Sequence, residues 1–160
     1  MSDKAAVPYY DIVPNIGVGP IKFGMTREEV RAAIGADATP FRRAVINTME
    51  QPLQDSFRDL GIFVEYNPLG KCVAVEFGGP AAPSFQGETF LGQPYSRVRE
   101  WFRTKDSAVE EDDSGLTSLA LGIGIYTPNA RANPDRLVEG VIAFKDGYYE
   151  GATDAVNRGG

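Results

Sequence analysis

Histidine is absent from all 160 residues. That removes the commonest general base, every Ser-His or Cys-His nucleophile pair, and the imidazole ligand of most catalytic zinc sites. Carboxylates or lysine would have to serve in any enzyme built from this chain. Cysteine is nearly absent too. Cys72 stands alone, which excludes an intramolecular disulfide and a thiolate zinc cluster within one chain, and nothing marks an oxidising compartment. No apolar run approaches the length of a membrane span, and MSDKAAVPYYDIVPN has neither an apolar core nor a cleavage site of small residues. Cytoplasm is therefore the expected location, with no membrane partner. Long basic runs are also missing. With 22 acidic against 16 basic residues, the net charge of -6 repels a phosphate backbone and argues against nucleic acid, while favouring encounter with a basic protein.

What is present fits one domain of ordinary size. The chain is 42% apolar and 24% charged, and nine Phe, seven Tyr and one Trp supply bulk for a core. Residues 1–10 and the Gly-rich 151–160 are expected to be flexible ends, leaving a single folded body over 11–150. IVPNIGVGPIKFG, with two prolines and three glycines, suits an extended edge or loop. Thr26 and Glu29 make a capping box for a short helix over 27–34 that stops at Gly35.

From Gly61 the periodicity changes to two. GIFVEY, the turn NPLG and KCVAVEF predict a β-hairpin in which Tyr66 faces Lys71. Ile62, Val64, Val73 and Val75 then share a core face, and Phe63, Glu65, Cys72, Ala74 and Glu76 the opposite one. GGPAAPSFQG (78–87) is expected to be a linker. A second helix follows over 94–103, with Pro94 in its first turn and Val98, Trp101 and Phe102 at helical spacing. EEDDSG (110–115) is expected to be a charged turn, 116–128 a strand, 129–135 a loop, and 136–149 a last strand and turn.

The two halves, about 17–77 and 88–149, can be laid over one another. Phe23-Gly24, Val30, Arg31 and Ile34 match Leu91-Gly92, Val98, Arg99 and Phe102 at a constant offset of 68. LGIFVEY resembles LGIGIYT, and VAVEF resembles GVIAF. The expected fold class is therefore α+β, an antiparallel sheet with helices packed on one face, made of two related halves in tandem.

FGMTREEVRAAIG, with its glycine, apolar residue, threonine, polar residues and valine, resembles the helix opening of the β-lactamase-inhibitor-protein-like superfamily. The resemblance implies units of a helical hairpin on an antiparallel sheet, two of them in tandem over about residues 17–150, and a protein-binding role. The chain departs from that pattern in lacking paired cysteines and a lipid-attachment cysteine. No binding residue of the superfamily matches a position here.

Few constellations carry chemistry. Lys71 points away from Cys72 on a strand, so the cysteine reads as structural. The run Glu110 to Asp113 lacks the alternation of a calcium loop and reads as a solvated turn or an acidic contact surface. GVGPIKFG lacks the spacing of a phosphate loop, and Pro20 deletes a donor. No catalytic residue, metal ligand or cofactor is predicted. Glu65 and Glu76, set about 13 Å apart by the predicted register, are too distant to couple. Trp101 and Phe102 read as core.

Phe63 and Tyr126 fall on the sheet face opposite the presumed core, while Tyr148 and Tyr149 follow the last strand. Aromatics on a wet sheet face anchor protein contacts, although a layer formed by 36–60 would cover them. The expected function is a non-enzymatic protein-binding or inhibitory role of the immunity type, acting on a basic protein through Phe63, Glu65, Glu76 and Tyr126. Two alternatives stand beside it: a small carboxylate-based enzyme or ligand binder with a pocket between the halves, and a structural subunit of a larger assembly.

Overall fold

Thr26 starts the first helix as its sequence predicts. Its hydroxyl accepts from the Glu29 N–H at 3.2 Å, and the Glu29 carboxylate accepts from the Thr26 N–H at 2.9 Å. Gly35, with a positive φ of 74°, ends helix α1 (Arg27–Ile34). The computed structural model describes residues 10–42 and 53–148. Ahead of α1, the Pro- and Gly-rich segment forms a small meander of β1 (Ile12–Val13), β2 (Gly17–Val18) and β3 (Ile21–Lys22). After α1, β4 (Thr39–Arg42), β5 (Leu53–Phe57), β6 (Ile62–Tyr66) and β7 (Cys72–Phe77) follow one another as antiparallel neighbours.

A comparable series then recurs. β8 (Ser84–Phe85) and β9 (Glu88–Thr89) pair ahead of α2 (Tyr95–Lys105). β10 (Glu110–Asp112), β11 (Gly115–Ser118), β12 (Ile123–Tyr126) and β13 (Gly140–Phe144) form a second antiparallel series. β7 pairs with β13, so the eight strands make one sheet in the order β10-β11-β12-β13-β7-β6-β5-β4. The α+β class holds, with a mostly antiparallel sheet and two α-helices among the described residues.

Both helices pack on the same face. Val30 of α1 and Tyr95, Val98 and Phe102 of α2 join Phe57, Ile62, Val64, Val75, Phe77, Leu116, Ile123 and Ile125 in one buried cluster. Each such side chain removed from water contributes about 1.5–3 kcal/mol. Polar ties fix the helices over that face. Arg27 and Arg31 of α1 donate to the fully buried Asp55 at 2.9 and 2.8 Å, and the Tyr66 hydroxyl donates to its other oxygen at 2.9 Å. Burial alone would raise the Asp55 pKa, but these three donors outweigh it and hold the carboxyl below its ordinary value. On α2, Arg103 grips Glu111 with two bonds of 2.8 Å, and the Ser118 hydroxyl donates to Asp106 at 2.7 Å.

Backbone anchors repeat between the two series. Gly24 N–H donates to Cys72 C=O and Cys72 N–H to Met25 C=O, both at 2.8 Å; Gly92 N–H donates to Val138 C=O at 3.0 Å and Val138 N–H to Gln93 C=O at 2.8 Å. Likewise Gly78 N–H donates to Gly61 C=O at 2.8 Å, and Phe144 N–H to Gly122 C=O at 2.9 Å. Gly61 and Gly122 both have positive φ, 71° and 68°.

Several sequence expectations need correction. Tyr66 faces Cys72, not Lys71, because Asn67 closes a longer turn: its N–H reaches Lys71 C=O, and its side chain accepts from the N–H groups of Leu69 and Lys71. The resulting bulge at Glu65/Tyr66 turns Cys72 into the core and leaves Val73 half-buried. Residues 116–128 hold two strands separated by a turn at Gly122, since a backbone at positive φ cannot continue a strand. Glu110–Asp112 is an edge strand, and the 78–87 segment carries strand β8 with a buried Phe85. Trp101 is half-buried, packed edge-on against Phe85 and Phe102. Among the described residues, no helix is long and apolar enough to cross a membrane.

Candidate functional site

Strand alternation sends Ser56, Phe63, Glu65, Glu76, Ile142, Gly124, Tyr126, Thr117, Glu110 and Asp112 to the sheet face opposite the helices. One row of cross-strand partners crosses all eight strands there. It runs Thr39, Ser56, Phe63, Glu76, Ile142, Gly124, Thr117, Glu110, each paired with the next. At about 4.8 Å per strand, the row is roughly 33 Å long.

All four residues singled out from the sequence lie on this face. Phe63 and Glu76 are direct partners in the row, and both are half-buried. Glu65 lies opposite Ala74, two residues from Glu76, so the two carboxylate-bearing residues are diagonal neighbours about 7–8 Å apart at the backbone. The 13 Å separation expected from sequence is corrected by the two-residue change of register. Tyr126 stands opposite Gly140, two strands away from Glu76, with 52% of its surface exposed.

Part of the face is closed. Gln54, Glu65, Ala74 and Phe144 are buried on it. The turn after β13 brings Tyr148 back over the sheet, where its ring stacks on Phe144 at 5.7 Å and its hydroxyl donates to Glu65 at 2.8 Å. Sequence reasoning noticed Tyr148 without placing it; Tyr149, and residues 43–52 of the proposed covering layer, lie outside the described residues.

The rest of the face is concave. A depression of about 500 Å³ straddles the junction of β7 and β13, lined by Glu65, Glu76, Asp112, Thr117, Gly124, Tyr126, Gly140, Ile142 and Tyr148. A second, of about 1030 Å³, lies over β4 to β6 and is lined by Thr39, Phe41, Ser56, Arg58, Asp59, Phe63 and Glu76. Glu76 borders both, so the two depressions adjoin along one trough-like face. Tyr126 lies against Gly140, where an added Cβ would sit 3.4 Å from the Tyr126 Cβ. In the floor of the larger depression the Ser56 hydroxyl is buried and has no hydrogen-bond partner among the described residues. Sequence reasoning missed Ser56 and Asp112: the first lay in a stretch with no clear periodicity, and the second was read as part of a turn.

Cys72 takes no part in this site. Its side chain is fully buried on the helix side, and burial pushes the thiol pKa up to about 12, so it carries no thiolate at neutral pH.

No protein-family model matches the chain, and no curated protein matches it. Among solved structures it is similar to the uncharacterized protein yfeY from Escherichia coli, with a TM-score of 0.54 and 10% identity, over 84% of this chain and 99% of that one. At that identity the likeness carries the fold alone.

Proposed function

We propose that this is a non-enzymatic, cytoplasmic binding protein of the inhibitory or immunity type, which takes a basic partner protein on the sheet face opposite its helices. The observation that carries the reading is the trough at the β7–β13 junction, where Tyr126 offers a half-exposed ring beside Glu76 and the exposed Asp112. An accessible aromatic surrounded by carboxylates supplies both the anchoring area and the charge that a lysine- or arginine-bearing surface recognises.

We also infer that the halves are tandem duplicates. Support comes from the same order of helix and four strands in each, and from backbone anchors that recur at matching positions. The proposed kinship with the β-lactamase-inhibitor-protein-like superfamily draws on the same two-unit plan. Each unit here has one helix among the described residues, where that superfamily has a helical hairpin. A second reading, a ligand binder with carboxylates in a pocket between the halves, draws support from the smaller depression, which both halves line.

Surface plasmon resonance against a panel of small basic proteins tests the leading reading. The double variant Tyr126→Ala/Asp112→Asn should weaken any binder at least tenfold, as expected for loss of a hot spot. Glu28→Gln, on the exposed side of α1, should change it little. Equal losses from the two substitutions would reduce the binding to net charge and reject the proposed face.

A further inference from the structure

The backbone anchors equate Gly61 with Gly122 and Gly78 with Phe144. Counted along the strands from those points, Phe63 corresponds to Gly124 and Glu76 to Ile142. The cross-strand pairs then equate Ser56 with Thr117 and Thr39 with Glu110, and Phe41 with Asp112 two residues further along. The eight-residue row therefore reads outward from the β7–β13 junction as two equivalent arms; one depression lies over each, and they share the equivalent positions Ser56/Thr117, Phe63/Gly124 and Phe41/Asp112, while Leu60 lines the first alone and Tyr126, whose counterpart is Glu65, the second alone.

Their linings have diverged in opposite directions. Over the first half, Phe63 and Phe41 with the partly exposed Leu60 give an apolar strip, bordered by the exposed charges of Asp37, Arg58 and Asp59. Over the second half, the equivalent of Phe63 is the buried Gly124, which adds no side chain to the floor, and the equivalents of Thr39 and Phe41 are the exposed carboxylates Glu110, beyond the lining, and Asp112, within it. Tyr126 walls this arm.

The apolar arm also holds the unsatisfied Ser56 hydroxyl, in a residue only 8% exposed. A buried hydroxyl with no partner among the described residues is unsatisfied, and a ligand group that reaches it would supply the missing bond.

Resting on the sheet face as the binding surface, we infer that the occupant is an extended, two-part segment of the partner protein. Its lysine or arginine residues lie over Asp112, Glu110 and Tyr126. Its leucine or phenylalanine residues lie over Phe63 and Leu60. The row of roughly 33 Å accommodates about ten extended residues at about 3.3 Å each. Neither arm alone distinguishes such a segment from any basic or any greasy surface; the two at a fixed spacing do.

Fluorescence anisotropy with three labelled twelve-residue peptides tests this: one of lysine and serine, one of leucine and serine, and one with a lysine-serine half joined to a leucine-serine half. The two-part peptide should bind at least tenfold more tightly than either of the others. Asp112→Asn should weaken it and the lysine peptide while sparing the leucine peptide. Phe63→Ala should weaken it and the leucine peptide while sparing the lysine peptide. Gly124→Val, which raises the floor of the acidic arm, should act like Asp112→Asn, and the exposed Asp112 position keeps the test valid if Gly124→Val fails to fold. A two-part peptide no tighter than the lysine peptide, with Asp112→Asn still weakening both, overturns the two-arm inference and leaves the binding face standing. Binding insensitive to every sheet-face substitution overturns both.

Discussion

Gly61→Ala tests the fold at the place where its two series of strands agree most closely. Gly61 has φ of 71°, and a Cβ built there runs into the Gly78 and Gly79 backbone carbonyls, well inside contact distance. Gly122 has φ of 68°, and its Cβ would meet the Phe144 carbonyl at 2.7 Å. Gly70, at the tip of the β6–β7 hairpin, has φ of 77° and open space around the same position. Alanine at Gly70 therefore costs only the left-handed backbone, about 1 kcal/mol. At Gly61 and Gly122 the same backbone cost is joined by the displacement of a carbonyl that belongs to the neighbouring strand, about 1–3 kcal/mol more. Gly61→Ala should then lose about 3 kcal/mol and Gly122→Ala slightly less. For a chain of this size that lowers Tm by about 6–12 °C, measured by circular dichroism and checked by urea titration. A Gly61→Ala variant no less stable than Gly70→Ala would show that the close approach of the two strand ends is wrong, and the equivalence built on it would go as well.

Asp55→Asn should cost about 3 kcal/mol, at the lower end for a buried ion pair because Arg27 and Arg31 are partly exposed. Since the folded-state pKa of Asp55 is depressed, its contribution is complete above the unfolded value near 3.9 and lost as pH falls through the lower folded value. Urea midpoints measured below about pH 4 should thus fall less steeply in the variant, and identical acid limbs would refute the assignment. Cys72 should resist a thiol-specific reagent in the native protein and react fully in urea; native labelling at the rate of a free thiol would contradict its burial. Tyr126→Ala should cost less than about 1 kcal/mol and Phe63→Ala about 1–2 kcal/mol, by thermal unfolding, because one ring is half-exposed and the other only partly covered. Losses of about 3–5 kcal/mol from both would place them in a core.

The elements that the sequence made legible are those specified within a few residues. The Thr26–Glu29 box and Gly35 bracket α1 because each cap is satisfied locally, and the period-two runs at 62–66 and 72–77 assigned Phe63, Glu65 and Glu76 to the correct face. Strands 39–42 and 53–57 escaped notice. Their residues, Thr, Pro, Phe and Arg in one and Leu, Gln, Asp, Ser and Phe in the other, alternate poorly. Asp55 points inward because two arginines from a helix far away in sequence neutralise it. A charged residue on a core face looks like a loop until its partners are known.

The candidate site depended on long-range pairing more than on any residue's identity. Glu65 and Glu76 are separated or adjacent according to one turn, and that turn is set by the Asn67 side chain bonding two backbone N–H groups. A count of loop residues gave the wrong register by two. Period-two alternation is blind to an error of that size, so every face assignment survived except at the bulge, while the distance that decides whether two carboxylates act together changed from about 13 Å to about 7–8 Å. The trough lies one step further from sequence. It crosses the pairing of β7 with β13, which sets Glu76 beside Ile142 and brings the strands before α2 against those after it. Neither half, read alone, has a surface that crosses the junction. A face that both depressions share is a property of that pairing, and on the proposed reading it is at Glu76, the residue both depressions share, that substitution should disturb both arms together.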